Sequence, residues 1–456
     1  MSDRPVHAGG ELNPELIEQA RRAMSRGDVP GMAIGVLHDS AAASAGLGVT
    51  NIEHPLPVTG DTLFQIGSIT KTFTVTALLQ QLEQGHIDLD DPIRRFIPDF
   101  AVRDADISAT VTLRDCMTHS CGWEGEFFAN TGWGDDALAA MVGRMSELPQ
   151  TTPIGQMWSY NNAAFYPLGR VLEVVEGAPF EQVIRRSILE PLELEGACFF
   201  AHELLHRNFA VGHTRRDGRT MIARPWAMPR SSNPVGGIVA SVNHLLSYAR
   251  FQLEGGTLLG DSLRLAAQLP NGPAADTPSV GLGWWLAGDG EDRVVEHGGG
   301  ANGQPALLAM LPERSFAIAV LTNGSGGWLA AHELLAWVKQ AYFGIEDAHA
   351  TRLPESSLED CTGAYETMLD RYEIREDDSG RTLSGSVLGD WLEDMDPPTS
   401  VEPWIVPVER ATGDTLLMSP GTPSEQEASL LRRSDDTVGW LRLHRRAVPR
   451  VHHQAG

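Results

Sequence analysis

Ser68 and Lys71 stand three residues apart in Gly67-Ser-Ile-Thr-Lys71, and Lys71 is one of two lysines among 35 basic residues. Arginine fills nearly every other basic position, so solvation does not account for a lysine here. Burial or a neighbouring cation can strip a lysine amine of its proton near neutral pH, whereas a guanidinium stays charged. If Ser68 opens a helix, Lys71 lies one turn on and on the same face. A hydroxyl beside a tunable amine is the minimum for an activated serine nucleophile.

Two other segments carry chemistry. Trp158-Ser-Tyr160-Asn161-Asn162 holds a phenol and a carboxamide two residues apart, which project to one side of an extended or tightly turned chain. Tyr160 could relay a proton if nearby cations lower its pKa, and Asn162 could hold Lys71 or a substrate amide. Glu296-His297-Gly298-Gly299-Gly300 ends a predicted strand. There a histidine offers a switchable charge, and the glycines would let a substrate backbone come close. Each segment alone also fits a packed loop tyrosine or a hairpin histidine. The order Ser-x-x-Lys, Tyr-x-Asn, His-x-Gly in one chain is harder to reduce to packing.

The surrounding pattern says what must position these groups. Leu63, Phe64 and Ile66 form an apolar run ending at Gly67, and Phe73, Ala77, Leu78 and Leu82 recur at helical spacing up to Gly85. Ser68 therefore falls at the N-terminus of a buried helix, where free N–H groups favour developing negative charge. Residues 13–26 read as an amphipathic helix, and 32–37 as a strand followed by a loop. Helices and loops fill 89–282, strands lie at 294–297, 306–311 and 316–321, and a helix covers 328–343. The pattern predicts an α+β domain, with one antiparallel sheet built from both ends of the segment and flanked by helices. Past it, short alternating segments separated by Asp, Gly, Ser and Pro predict a small all-β barrel or sandwich of about 100 residues. The expected organisation is a serine catalytic domain at 1–346, a linker at 347–354 and a β domain at 355–456.

A chain of 456 residues exceeds one ordinary core, and its 42% hydrophobic and 21% charged content is that of a globular protein. A formal charge of −25 argues against nucleic acid as a partner. No apolar run approaches a membrane span, and Met1-Ser-Asp-Arg-Pro opens without an apolar signal segment, so a cytoplasmic protein with no membrane partner is expected. The four cysteines are expected to be free and buried. No cofactor or metal is expected. Cys116, His119 and Cys121 lack a second ligand pair, and no zinc-protease glutamate accompanies His202-x-x-x-His206, His119 or His213.

The order and spacing of the motifs resemble the penicillin-binding-protein and class C β-lactamase-like family of serine enzymes. The resemblance covers residues 12–343. It includes the blocks Leu63-Phe-Gln-Ile-Gly-Ser-Ile-Thr-Lys-Thr-Phe73, Gly85-His-Ile-Asp-Leu-Asp-Asp-Pro92 and Val111-Thr-Leu-Arg-Asp-Cys-Met-Thr-His-Ser120. Pro153-Ile-Gly-Gln-Met-Trp-Ser-Tyr-Asn-Asn162 and His297-Gly-Gly-Gly-Ala-Asn-Gly-Gln304 complete it. The resemblance implies a β-lactamase/transpeptidase-like fold carrying a lipocalin-like C-terminal domain. It makes Ser68 the acylated nucleophile, Lys71 its base partner, Tyr160 the proton relay and Asn162 the group orienting substrate and lysine. His297 would occupy the place of the lysine in Lys-Thr-Gly, with Gly299 third in that element, and the backbone N–H of Ser68 would belong to an oxyanion hole.

The departure at His297 matters, because a lysine is a permanent cation suited to the carboxylate of a penicillin or a D-Ala-D-Ala terminus. A histidine points instead to relatives such as D-aminopeptidases, esterases and the stand-alone penicillin-binding-type thioesterases that cyclise peptides. The expected activity is acyl-enzyme chemistry on peptide-derived donors (thioester, ester or amide) with a D-residue, ending in cyclisation or transfer. The alternative is a D-amino-acid peptidase, amidase or carboxylesterase. The substrate partner is then a small molecule or peptidyl group. Trp123 and Trp226, in loops 122–133 and 224–237, join Gly298 and Gly299 as expected substrate-binding residues.

Overall fold

In the computed structural model, Asn13 opens α1 (Pro14–Arg26): its side chain accepts the Glu15 N–H at 2.9 Å, and Pro14 sits where a missing N–H costs nothing. The structure describes residues 5–6, 10–216, 218–273, 279–346, 351–354, 356–377, 380–388, 403–420 and 426–451. After α1 come β1 (Gly31–His38) and β2 (Ala41–Gly48), then α2 (Thr70–Glu83), α3 (Phe165–Glu176) and α4 (Val242–Glu254). The later strands are β3 (Trp285–Ala287), β4 (Val294–Ala301), β5 (Gln304–Leu311) and β6 (Phe316–Thr322), followed by α5 (Gly327–Phe343).

The sheet runs β2-β1-β6-β5-β4-β3, antiparallel throughout, so the N-terminal strand pairs with the last one. Its apolar strands alternate between two cores. Met32, Ile34, Val36, Leu307, Ile318 and Val320 face α1 and α5, while Ala33, Leu37, Leu308, Met310 and Ala319 face the helical layer with α2. Twelve of the residues in α2 are buried, among them Lys71, because this helix passes through the middle of the layer. The stretch at 41–48, expected as a loop, is instead the edge strand β2. Its Ala-Ala-Ala-Ser-Ala-Gly composition carries no strand signal. It pairs with β1 along its whole length because Asp39 and Ser40, at φ 48° and 64°, form a tight hairpin turn.

The C-terminal part is a closed eight-stranded barrel of β7 (Gly363–Glu366), β8 (Asp370–Asp377), β9 (Gly380–Val387), β10 (Trp404–Ala411), β11 (Thr415–Met418), β12 (Gln426–Arg432), β13 (Val438–Leu443) and β14 (Arg446–Val451). Neighbours in sequence pair in order, and β7 closes on β14, an up-and-down arrangement consistent with a lipocalin-like domain. Tyr365, Ile374, Leu383, Leu416 and Leu441 fill its interior. Of the expected linker, 347–350 lie outside the described residues, while Leu353 N–H bonds to Arg410 O on the barrel at 2.8 Å. All four cysteines are free and buried. No described helix is long and apolar enough to cross a membrane.

Candidate active site

Ser68 lies in a single 3-10 turn (Gly67–Ile69) that runs straight into α2. Backbone crowding shapes this turn. Gly67 has φ 51°, and a Cβ there would sit 2.5 Å from Gly300 N. A Cβ at Gly299 would sit 1.8 Å from Ile66 O and 3.2 Å from Ser68 N. The glycines expected to admit a substrate backbone thus admit the chain's own Ser68 turn against β4. Gly299→Ala should destabilise the fold by about 2 kcal/mol or more and slow fluorophosphonate labelling of Ser68. Gly300→Ala should do neither, since its Cβ meets nothing nearer than 3.6 Å. Thermal melts and labelling rates of the two variants check this.

Lys71 Nζ is fully buried and 2.9 Å from Ser68 Oγ, 2.8 Å from Asn162 Oδ1 and 2.9 Å from Val235 O. Burial holds its pKa well below the usual lysine range; Glu126 pulls it back up and the Arg446 guanidinium lowers it again. A neutral amine has two N–H groups and one lone pair. Two of the three neighbours are carbonyl-type oxygens that can only accept, so they take both N–H groups. The lone pair is left facing the Ser68 hydroxyl, which is the geometry of a general base.

The Tyr160 phenol lies near Ser68, and its ring centre is 5.0 Å from Lys71 Nζ. Burial raises its pKa well above the ordinary phenol value and outweighs the lowering by Ser68 and Arg446. The expectation that cations would make Tyr160 easier to deprotonate is therefore reversed: its phenol keeps its proton and is placed to donate it. The loop is pinned from behind. His119 Nδ1 accepts the Asn161 N–H at 3.1 Å, and Asn161 Nδ2 donates to Trp123 O at 2.7 Å. The His119 ring lies 4.8 Å from that of Tyr160, and burial first, with the neighbouring Lys71 second, takes its pKa down to about 3. His119 is thus a neutral packing partner, and among the described residues no three His, Cys, Asp or Glu side chains gather around a metal-sized point.

His297 is fully buried and stacks on Trp285 at 4.3 Å. Its Nδ1 is 2.6 Å from Gly298 O, an atom that can only accept, so Nδ1 carries the hydrogen and Nε2 is an unprotonated acceptor. Burial first and Lys71 second hold it uncharged. Where a lysine would present a cation, this site presents a lone pair.

The barrel completes the site. His444 and Arg445, at φ 48° and 69°, form the tight turn between β13 and β14, and this hairpin reaches the Tyr160 loop. Tyr160 N–H donates to Arg445 O at 2.8 Å, Ala447 N–H to Ser159 Oγ at 3.0 Å, and Trp440 Nε1 to Thr151 O at 2.9 Å. The Arg445 guanidinium sits 3.8 Å over the Trp285 ring and 2.8 Å from Glu296 Oε1. Arg446 Nε donates to Glu126 Oε1 at 2.7 Å, and the same oxygen accepts Asn162 Nδ2 at 2.9 Å. A continuous chain thus runs from the barrel through Arg446, Glu126 and Asn162 to Lys71. Beside it a cavity of about 180 Å³ lies between the domains, lined in part by Glu124, Glu126, Tyr160, Asp370 and Tyr372.

Residues 16–341 match the β-lactamase family. The chain belongs to that family. It is 30% identical over 309 residues to penicillin-binding protein 4 of Amycolatopsis lactamdurans, which covers 65% of this chain and 81% of that protein. It is 21% identical over 375 residues to the unguisins hydrolase ungD of Aspergillus violaceofuscus, covering 74% of this chain and 66% of the relative. In three dimensions it is similar to SurE, a protein also crystallised with D-Leu. The TM-score is 0.75 at 23% identity, with 96% of this chain and 98% of that chain covered, so the likeness extends over the barrel.

The structure brings Ser68, Lys71, Tyr160, Asn162 and His297 of this β-lactamase-family domain around one point. Two expected substrate contacts are corrected. Trp123 is 1% exposed and packs on Phe100 in the core, because its loop turns inward to support Asn161. The space above Gly298 is filled by the Trp328 ring, which a Cβ would meet at 2.6 Å. Trp226 does border an opening, with Met228 and Gly237. Sequence reasoning missed Glu126, Arg445 and Arg446. No local motif marks them, since a Leu-His-Arg-Arg turn between two alternating segments reads as an exposed hairpin tip.

Proposed function

We propose that this β-lactamase-family protein is a serine acyl-enzyme catalyst acting on peptide-derived donors that carry a D-residue, and that it passes the acyl group to an amine as a stand-alone thioesterase of the penicillin-binding type. The observation that carries the acyl-enzyme step is Lys71 Nζ, 2.9 Å from Ser68 Oγ with both of its N–H groups engaged elsewhere. Ser68 Oγ attacks the donor carbonyl while its proton passes to Nζ. The Tyr160 phenol gives its proton to the departing sulfur, oxygen or nitrogen, and the Lys71 ammonium replaces it. An incoming H–Nu then reverses these transfers and frees Ser68.

Transfer to an amine is supported by the barrel hairpin lying against Tyr160, a cover that limits water at the acyl-enzyme. Neutral His297 supports a donor without the carboxylate that a lysine would bind. The crystallisation of SurE with D-Leu agrees with a D-configured donor. The relative named as an unguisins hydrolase favours the second reading, hydrolysis of a peptide, amide or ester.

Mass spectrometry of the protein incubated with a peptidyl thioester mimic ending in a D-residue, alongside Ser68→Ala, separates the two. A cyclic or amine-linked product lost in the variant supports transfer, and linear acid alone supports hydrolysis. No adduct and no product would sink the donor class. The pH dependence follows from the lowered Lys71 pKa. The amine is free above that pKa and protonated below it, so acylation should fall as the pH drops through it, on a limb lying below the ordinary lysine range. Stopped-flow acylation by a fluorogenic ester reads this, and a rate that rises as pH falls would contradict the base assigned here.

A further inference from the structure

Gln65, two residues before Gly67, donates from Nε2 to Trp226 O at 2.6 Å and ties the segment carrying Met228 to the strand that enters the nucleophile turn. A Cβ at Gly236 would lie 3.3 Å from Met228 Cε and 3.4 Å from Gly67 C, so Met228 flanks Ser68's own turn. Gln65, Trp226, Met228 and Gly237 line a narrow cleft there. Trp133 and Ala201 border that cleft and also a wide depression of about 540 Å³ walled by Phe200, His202 and Arg230. The two adjoin at Trp133 and Ala201 as one groove; the cleft itself holds only about 10 Å³, so the depression is the part open to a ligand, and the cleft lies between it and the segment leading to Gly67.

Its walls are aromatic and carry little free charge. His202 stacks on Phe200 with ring centres 5.5 Å apart, and the Arg230 guanidinium lies 5.4 Å from the same ring. Arg230 is already neutralised: Nε and one terminal nitrogen each reach a Glu181 oxygen at 3.1 Å, Asp135 is at 2.7 Å, and the other terminal nitrogen donates to Trp133 O at 2.8 Å. It offers a flat face, and most of its N–H donors are already engaged by oxygens. Trp133, 54% exposed, stands at the rim where no fold-stabilising role accounts for a solvated indole. The volume lies within the range of about 300–1,000 Å³ typical of sites that enclose small ligands.

We propose that this groove binds the large apolar or aromatic side chains of the peptidyl donor, on residues upstream of the one acylated on Ser68. The proposal rests on the reading of Ser68 as the acylated residue. Selectivity between long and short donors then resides in Trp133 and Phe200, apart from the reacting groups.

The test compares kcat/KM for two esters of the same D-residue, one capped with acetyl and one extended by leucine and tryptophan, in the full chain and in Trp133→Ala, Phe200→Ala and Trp133→Phe. The expected result is a fall of about tenfold in the preference for the extended ester in both alanine variants, expressed in KM, with Trp133→Phe close to the parent. An unchanged preference overturns the proposal, as does an equal loss on both esters, which would mark Trp133 as structural. If no ester acylates Ser68, the proposed function has failed and not the groove. Calorimetric binding of the extended peptide acid then decides: tenfold weaker binding in Trp133→Ala supports the groove, and equal binding removes it.

Discussion

Lys71→Arg should slow acylation of Ser68 by roughly 10²–10⁴-fold, the range general-base catalysis supplies. Arginine keeps the charge, the approximate length and the capacity to donate to Asn162 Oδ1 and Val235 O. What it cannot do is lose its proton, so no lone pair faces Ser68 Oγ. A further burden is that its cation would be held in a site where burial already drives the native lysine toward neutrality. The measurement is the rate of fluorophosphonate labelling followed by mass spectrometry, with a thermal melt to confirm that the variant folds. Lys71→Cys alkylated with bromoethylamine restores an amine of the same reach and should recover much of the rate. Labelling of Lys71→Arg within tenfold of the parent would transfer the role of base to another group.

Arg446→Ala should disable the site from outside the β-lactamase-family domain. Arg446 neutralises Glu126, and Glu126 holds Asn162, whose carbonyl oxygen takes one N–H of Lys71. Removing the guanidinium leaves a carboxylate with 15% side-chain exposure and no cation in contact. Stranding a buried charge costs about 3–5 kcal/mol, and the partial exposure here brings the expected loss to the lower end of that range or below. The electrostatic effect on Lys71 has a definite sign. Arg446 lowers its pKa and Glu126 raises it, so losing the first and unmasking the second both favour the ammonium. The acid limb of acylation therefore moves to higher pH, and at a pH on that limb the rate falls about tenfold for each pKa unit of movement. Adding Glu126→Gln to Arg446→Ala should bring the limb back down. If the limb stays in place in the single variant, the barrel covers the site without tuning it.

Much of this architecture is legible in the amino-acid pattern. Strands β4, β5 and β6 announce themselves as apolar runs cut by Gly and Pro, because both of their faces are buried. The pairing of β6 with β1 joins the two ends of the segment into one sheet with both faces covered by helices. The edge strand β2 was not legible, since seven of its eight residues are small and hold their place chiefly through pairing with β1. Trp123 was misread for a related reason. A large aromatic in a loop suggests a cleft wall, and only packing shows that its loop turns into the core.

Residue type and spacing are enough to name the candidate reacting groups. A lysine three residues after a serine, a Tyr-x-Asn and a His-x-Gly are local facts, written in residue type and spacing, and the helix that places Ser68 beside Lys71 is local as well. The tertiary structure decided how those groups are tuned. Whether Lys71 is neutral, whether Tyr160 holds its proton and which nitrogen of His297 is free depend on burial and on contacts that span the chain. Glu126 and Arg446 are 320 residues apart in sequence, yet they share a hydrogen bond beside the nucleophile. Electrostatic energies depend on distance and solvent access, and both are set by the packing of two domains that no local pattern records.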